Sequence, residues 1–242
     1  MDTTVYLIRH SEKLDTKYID KYYNDEFYQI SREKRILSSE GERKAKILSE
    51  NEEFNKLDVI YSSNYVRTIQ TAKYFAERFN IKINVNKDLN ERKYGNPLDS
   101  RDIGLEQYYD ENLKNNDGES RKEVTERMYN AFKNIIKENK GKNIAIFSHG
   151  AAITFLLMKW CDLISITKEK KKCLKFKNNI IVNKIFDAPE VFKIIVNKGG
   201  NIKSIENIEI KYFWKNLHNA LCRHSKKYIK NGVICKLYSY DN

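Results

Sequence analysis

The chain has 242 residues, 40% of them hydrophobic, and carries a formal net charge of +12 at pH 7. This length can bury one sizeable α/β core, and the apolar runs are too short to predict a membrane-spanning segment. The sequence begins without the basic region and apolar core of a signal peptide, and its four cysteines are scattered, so we expect free thiols, a cytoplasmic location and no structural zinc.

The first predicted element is a buried strand over residues 5–8, because a short run of aliphatic and β-branched residues is typical of one. The run ends at Arg9 and His10, which would lie at the carboxyl edge of a sheet, where ligands bind. A guanidinium group can bind phosphoryl oxygens in pairs while an imidazole attacks phosphorus. Taken alone, the pair is also compatible with an ion-paired arginine beside a hydrogen-bonded histidine.

The segments that follow alternate between helix and strand patterns. A small hydroxyl residue and early acids mark a helix start at Ser38 or Ser39, and Ser63 or Asn64 is expected to cap a later helix. Strict alternation marks a strand over residues 81–85. In chain order, we predict helices over 19–30 and 38–54, a strand over 57–61, a helix after 63, a strand over 81–85, a polar insertion over 89–117, a helix over 120–140, a strand over 143–147, a helix over 151–160, and a hairpin of strands over 191–196 and 202–208.

Repeated β-α-β connections predict an α/β fold, a three-layer α/β/α sandwich with a largely parallel central sheet. This domain would occupy residues 1–210. Residues 211–242 are predicted to form a basic, helical C-terminal extension, since they hold seven Lys or Arg residues and one acid. We interpret this extension and the basic run 168–172 as solvated faces rather than nucleic-acid sites, because no RNA-binding aromatic motif or zinc finger accompanies them.

Two later strands also end near side chains that suit phosphate. Residues 57–61 are followed by Ser63 and Arg67, and residues 143–147 are followed by His149. The carboxyl ends of parallel strands meet at one edge of a sheet, so these side chains would lie beside the Arg-His pair.

Five motifs occur in a fixed order along the chain. They are Arg9-His10, Ser62-Ser63 with Arg67-Thr68 and Gln70-Thr71-Ala72, Leu89-Asn90-Glu91 with Gly95, Gly118-Glu119-Ser120, and Ser148-His149-Gly150. Together they resemble the histidine phosphatase superfamily, the phosphoglycerate-mutase-like enzymes, over roughly residues 3–210. The sequence departs from that family at Ser11, where glycine is more frequent, and at Asn64-Tyr65, where Pro-Leu is frequent. Neither departure affects the four residues expected to hold phosphate.

The resemblance implies a role for each residue of the phosphate pocket. His10 would be the nucleophile and form a phosphohistidine, while Arg9 and Arg67 would bind the non-bridging oxygens. His149 would donate a hydrogen bond to the transferring group, and Ser63 would add a hydroxyl contact. Two arginines and two imidazoles already supply a positive field, so we expect neither a metal ion nor another cofactor.

The leaving alkoxide needs a proton, and Glu91 matches the position of the family's acid. Glu12 is the alternative proton donor because it lies three residues from His10. Arg92 and Tyr94 follow Glu91 and are expected to contact an acidic substrate.

The leading interpretation is a phosphatase for phosphate monoesters of small metabolites. A cofactor-dependent phosphoglycerate mutase is the first alternative, although residues 13–16 lack the Ser-x-Trp-Asn stretch of the mutases and residues 108–117 lack their paired arginines. A non-catalytic relative that binds phosphate or protein is the second, and it would need neither a nucleophile nor a proton donor. The expected partner is a small phosphorylated substrate, and the sequence indicates no oligomeric state.

Overall fold

The computed structural model describes residues 1–15, 25–96 and 103–210. Within these ranges it contains nine strands and five α-helices. The strands are β1 (Thr3–Arg9), β2 (Val59–Ser62), β3 (Ile83–Val85), β4 (Asn143–Ser148), β5 (Cys161–Ile166), β6 (Lys172–Phe176), β7 (Asn179–Lys184), β8 (Val191–Val196) and β9 (Ile202–Ile208). The helices are α1 (Asp25–Lys34), α2 (Ser39–Ser49), α3 (Val66–Phe79), α4 (Arg121–Glu138) and α5 (Gly150–Leu157), with short 3₁₀ turns at Lys87–Leu89 and Glu106–Tyr108.

The central sheet has six strands in the order β3-β2-β4-β1-β8-β9. Its first four strands are mutually parallel, whereas β8 pairs antiparallel with β1 and β9 pairs antiparallel with β8. The predicted α/β fold with a largely parallel sheet is therefore confirmed, and so is the hairpin of β8 and β9.

Side chains of β1 alternate between two buried faces of this sheet. Val5 and Leu7 belong to the apolar cluster that includes residues of α4 and α5. On the opposite face, the ring of Tyr6 lies 4.8 Å from that of Phe54, just beyond α2, and Phe75 of α3 packs on β4. Helices thus cover both faces, and each fully buried aliphatic or aromatic side chain contributes about 1.5–3 kcal/mol to stability.

The predicted helix starts are confirmed in two cases and wrong in one. Ser38 caps α2 by accepting a hydrogen bond from the backbone N–H of Gly41, and Ser120 forms a reciprocal capping box at α4. Helix α3, however, begins after Tyr65 without a side-chain cap. Neither expected cap, Ser63 or Asn64, serves this helix. The hydroxyl of Ser63 is hydrogen-bonded to a histidine of the neighbouring strand end, as described below, and the side-chain oxygen of Asn64 has no hydrogen-bond partner in the described part of the chain.

Strands β5, β6 and β7 form a separate antiparallel sheet that the sequence did not predict. Leu174, Phe176 and Val182 of this sheet pack into the cluster with α4 and α5. Lys172 at the start of β6 is buried, so the interpretation of the whole run 168–172 as a solvated face is wrong at this position.

Residues Met1–Glu209 form one compact unit. The tail from residue 211, with its predicted helix, lies outside the described residues, and the division into domain and extension stays a prediction. The helix predicted over 19–30 is described only from Asp25, in α1. Among the described helices, none is long and apolar enough to cross a membrane.

Candidate active site

The candidate site lies at one edge of the central sheet, where three parallel strands end. His10 follows β1, Ser63 follows β2 and His149 follows β4. The register of β1 and β4 pairs Arg9 with Ser148, so the residues that follow them are also adjacent. As a result, the rings of His10 and His149 lie 5.2 Å apart between centroids.

The imidazole of His10 is held in one orientation and is 5% exposed. Its Nδ1 lies 2.7 Å from the backbone oxygen of Ser11. A carbonyl oxygen can only accept, so Nδ1 carries the proton and Nε2 keeps its lone pair. Burial, followed by the positive charges of Arg67 and Arg9, holds the pKa of His10 well below its ordinary value. The ring is therefore neutral at physiological pH, as a nucleophile must be.

His149 lies in a directional chain of hydrogen bonds behind His10. Nη2 of Arg67 donates to Nδ1 of His149 at 3.0 Å, so the proton of this neutral ring is on Nε2 and is donated to the hydroxyl of Ser63 at 2.8 Å. Ser63 in turn lies 2.6 Å from the hydroxyl of Thr68, which donates to the backbone oxygen of Tyr65. Burial and the charge of Arg67 lower the pKa of His149. In this structure Ser63 thus orients a histidine, and its predicted contact with phosphate stays a prediction.

The two arginines of the site donate hydrogen bonds to main-chain oxygens. Nη1 of Arg9 donates to the oxygens of Phe186 and Asp187, while Nη1 of Arg67 donates to the oxygen of Arg32. The Nε atoms of Arg9 and Arg67 are both buried, and no group in the described part of the chain accepts a hydrogen bond from either. Burial also lowers the pKa of Arg67 to about 10.

A buried charged donor without an acceptor costs about 1–3 kcal/mol or more. The charges of both arginines act on the neutral imidazole of His10. This arrangement is suited to an anion with several oxygens, because one phosphoryl group can accept hydrogen bonds from both guanidinium groups.

Glu91 is bound at the amino-terminal end of α5. One carboxylate oxygen accepts hydrogen bonds from the backbone N–H groups of Arg92 and Ala152, both at 3.0 Å, and the other accepts from Ala151 at 3.3 Å. Desolvation would raise the pKa of Glu91, but these N–H groups and the charges of Arg92 and Arg67 outweigh it and lower the pKa. In the ligand-free protein Glu91 is therefore a carboxylate.

Glu12, the alternative proton donor, is turned towards α2. Its carboxylate lies 2.8 Å from Nζ of Lys44 and accepts a hydrogen bond from Ser38. The hydrogen bond with Lys44 lowers the pKa of Glu12. Of the two candidate proton donors, Glu91 shares a cavity with His10 and Glu12 does not line that cavity.

The cavity at this edge has a volume of about 280 Å³. It brings together Arg9, His10, Glu91, Arg92 and Tyr94 from the sequence prediction. Five basic side chains line it against two carboxylates, so the cavity favours anions. In the described ranges, no group of three or more His, Cys, Asp or Glu residues could hold a metal ion.

Three basic residues that line the cavity, Arg32, Lys170 and Lys172, were missed from the sequence. Arg32 of α1 lines the cavity, and its guanidinium carbon lies 5.6 Å from the ring centroid of Tyr94. Lys172, the first residue of β6, lines the same cavity although it lies far from Arg32 in the sequence. The alternation of Lys172, Leu174 and Phe176 was the available signal that Lys172 shares a buried strand face.

Comparison with known proteins agrees with this architecture. The family model of the histidine phosphatase superfamily (branch 1) matches residues 5–180. No curated protein matches the chain.

Solved structures share the fold at low sequence identity. YhfR from Bacillus stearothermophilus has a TM-score of 0.61 at 20% identity, with 87% of this chain and 98% of that chain covered. A mycobacterial glucosyl-3-phosphoglycerate phosphatase has a TM-score of 0.58 at 18% identity, with 86% and 97% covered. Phosphoserine phosphatase from Entamoeba histolytica, in complex with 3-phosphoglyceric acid, has a TM-score of 0.55 at 16% identity, with 87% and 98% covered. Because the family model spans most of the chain and these structures share its fold, the protein belongs to the histidine phosphatase superfamily, branch 1.

Proposed function

We propose that the protein hydrolyses phosphate monoesters of small metabolites through a phosphohistidine intermediate on His10. One observation carries this proposal. A neutral imidazole with an unprotonated Nε2 is close enough to two buried guanidinium groups for their charges to lower its pKa, and the Nε–H donors of both groups lack acceptors within the described ranges. A phosphoryl group would supply the missing acceptors and present its phosphorus atom to the imidazole.

In the first step, the lone pair of Nε2 of His10 forms a bond to phosphorus while the ester P–O bond breaks. Arg9 and Arg67 stabilise the negative charge on the non-bridging oxygens. His149 is held by Arg67 and Ser63, and we assign it the role of keeping that guanidinium group in place and donating to the phosphoryl group once it is bound.

The leaving oxygen takes a proton from Glu91, which must therefore be protonated when the substrate is bound. Glu91 is a carboxylate in the free protein, but a phosphate monoanion carries one proton at pH values near or below its second pKa of about 6. Transfer of that proton to Glu91 balances the step. In the second step, a water molecule attacks phosphorus, Glu91 accepts its proton, and the bond between phosphorus and His10 breaks to release inorganic phosphate.

The size of the cavity supports a small substrate, since about 280 Å³ is at the lower end of ligand pockets. The fold neighbours support the same class. Two of them are phosphatases whose names refer to glucosyl-3-phosphoglycerate and phosphoserine, and one binds 3-phosphoglyceric acid.

The test is to mix the protein with an excess of an aryl phosphate, quench the reaction in base, in which phosphohistidine survives, and measure intact mass together with released phosphate. We expect one phosphoryl group on the native protein and none on His10→Ala. His218→Ala is the control, because His218 matches none of the motifs. Label on His10→Ala would show that another residue is the nucleophile. With phosphoglycerate as substrate, an isomerised product in place of inorganic phosphate would show a mutase.

A further inference from the structure

Lys172 is a buried cation that the proposed chemistry at phosphorus does not use. It is 5% exposed, and its ammonium nitrogen lies 4.2 Å from the ring centroid of Phe186. Arg9 donates to the backbone oxygen of that same phenylalanine. Lys172 and Arg9 therefore both contact Phe186, and both line the same cavity.

The ammonium group has no anionic partner within the ranges that the structure describes. The carboxylate of Glu190 is already bound by Lys184, the backbone N–H of Asp187 and the amide of Asn207. The carboxylate of Glu91 is bound by the backbone N–H groups of Arg92, Ala151 and Ala152. The contact of Lys172 with the ring of Phe186 offsets only part of the cost of burying an ammonium ion.

The phosphoryl group of a substrate does not account for this charge. Its oxygens have two buried guanidinium donors, from Arg9 and Arg67, whose charges both act on His10. Lys172 comes from β6, in the sheet of β5, β6 and β7, whereas Arg9 lies in β1 of the central sheet and Arg67 lies in α3. Arg92 lines the same cavity, with its guanidinium carbon 4.9 Å from the ring centroid of Tyr94. Lys172 and Arg92 are thus available to another part of the ligand.

Building on the proposed hydrolysis at His10, we propose that Lys172, with Arg92, binds a second anionic group of the substrate. The substrate class is a small phosphate monoester that also carries a carboxylate or a second phosphate. Burial and the nearby charge of Arg9 lower the pKa of Lys172 to about 8. The ammonium form is therefore available at neutral pH but is destabilised until an anion pairs with it.

Three matched esters test this assignment. 3-Phosphoglycerate and glycerol 3-phosphate differ only in a carboxylate that replaces a hydroxymethyl group, and glycerol 1,3-bisphosphate carries a second phosphate on that hydroxymethyl group. We measure kcat/KM for each ester with the native protein, Lys172→Met and Lys171→Met. Methionine keeps the apolar stem that packs on Phe186, and Lys171 is an exposed neighbour that does not line the cavity.

The native protein should prefer an ester with a second anion over glycerol 3-phosphate. Whichever of 3-phosphoglycerate and glycerol 1,3-bisphosphate has the larger kcat/KM identifies that anion as carboxylate or phosphate. Lys172→Met should reduce this preference by about tenfold or more, the loss expected for a charge-assisted hydrogen bond. Lys171→Met should retain the preference. A folded Lys172→Met protein with the native preference would overturn the proposal, and so would a native protein that prefers glycerol 3-phosphate.

The native protein provides a second measurement that needs no variant. Its preference for the ester with a second anion should fall as the pH rises above about 8, because Lys172 then loses its charge. The ionisable groups that act on Lys172 are Arg9, Glu91, Lys170 and Glu190, and Tyr108, whose ring lies 5.9 Å away, faces it as well. A preference that stays constant from pH 7 to 10 would overturn the proposal.

Binding of the corresponding non-hydrolysable phosphonates, measured by calorimetry, separates this site from the proposed hydrolysis. If the protein turns over none of the esters, the hydrolysis fails. The same loss of phosphonate preference in Lys172→Met would then still support the anion site, and equal affinities for the phosphonates with and without the second anion would overturn it.

Discussion

Glu91→Gln tests whether the carboxyl group in the cavity with His10 supplies the proton to the leaving group. The amide keeps the length of the side chain, and its oxygen can still accept from the N–H groups of Arg92 and Ala152, which both bind the same carboxylate oxygen. The change therefore removes the exchangeable proton and leaves most of the local structure in place.

Glu91→Gln should have a small effect on the free energy of unfolding and a larger effect on the reaction barrier. The amide nitrogen would replace the oxygen that accepts from Ala151 at 3.3 Å, so one long hydrogen bond is lost, about 1 kcal/mol. Loss of a general acid costs a factor of about 10² to 10⁴, or about 3–5 kcal/mol in the barrier. That larger cost applies to an alkyl phosphate, whose leaving alkoxide is strongly basic. An aryl phosphate releases a stabilised phenolate and needs little protonation.

The assay compares single-turnover rates of phosphohistidine formation for the two leaving groups, because hydrolysis of the intermediate is common to both substrates. Glu91→Gln should slow the alkyl ester more than the aryl ester by an additional factor of about 10² to 10⁴. Glu12→Gln is the matched control, since Glu12 is bound to Lys44 and should show no such difference. Equal losses for the two esters in Glu91→Gln would mean that Glu91 positions substrate or water instead of donating the proton.

Two further predictions follow from the buried charges. Arg67→Ala should lower kcat/KM for an aryl phosphate by a factor of at least about 10², as loss of a preorganised donor does. The same change should raise the pKa of His10, because the positive charge of Arg67 lowers that pKa in the native protein. An unchanged acidic limb in the pH profile of phosphohistidine formation would contradict the predicted rise in pKa. His10 and His149 are neutral in the folded protein, whereas an unfolded histidine titrates near pH 6.5. The unfolded state therefore binds more protons below that pH. As the pH falls, the free energy of unfolding should decrease by up to about 1.4 kcal/mol per pH unit for each histidine. Urea titrations at pH 7.0 and 5.5 should show this fall, above the range in which carboxylates titrate, and His10→Asn should show about half of it; a native protein of equal stability at both pH values would refute the assignment of neutral rings.

The position of the site was predictable because it depends on strand ends. Three short apolar runs each stop at a residue that suits phosphate, and parallel pairing places such residues at one edge whatever the details of packing. The register of β1 and β4 then places His10 beside His149. Local sequence decides both the strands and the residues that follow them, so sequence reasoning was sufficient at this level.

The hydrogen bonds within the site were not predictable in the same way. Ser63 was expected to cap a helix or contact phosphate, but its hydroxyl bonds to His149, 86 residues away in sequence. The choice depends on side-chain geometry after the strands have paired. A serine after a strand has several acceptors and donors within reach, and the sequence does not rank them.

Lys172 shows the same limit for charged residues. A run of lysines predicts a solvated face because each ammonium group is costly to bury. Sheet pairing overrides that preference here, since β6 places Lys172 on the same strand face as Leu174 and Phe176, and the latter two pack into the core cluster. Only the position of β5, β6 and β7 relative to the cavity reveals that one lysine of the run differs from its neighbours.

The same burial explains why the site would favour anions over neutral ligands. Removal from water lowers the pKa of Arg67 to about 10 and that of Lys172 to about 8, so both cations are less stable in the free protein than in solvent. A neutral ligand would displace water from these groups without pairing their charges. An anion restores the lost stabilisation in a medium of low dielectric constant, where each charge-assisted hydrogen bond is stronger than it is in water. A ligand of opposite charge is therefore needed to stabilise these buried cations. Because one of them is at the phosphate-binding arginines and the other is Lys172, we expect an ester with two anionic groups to bind best.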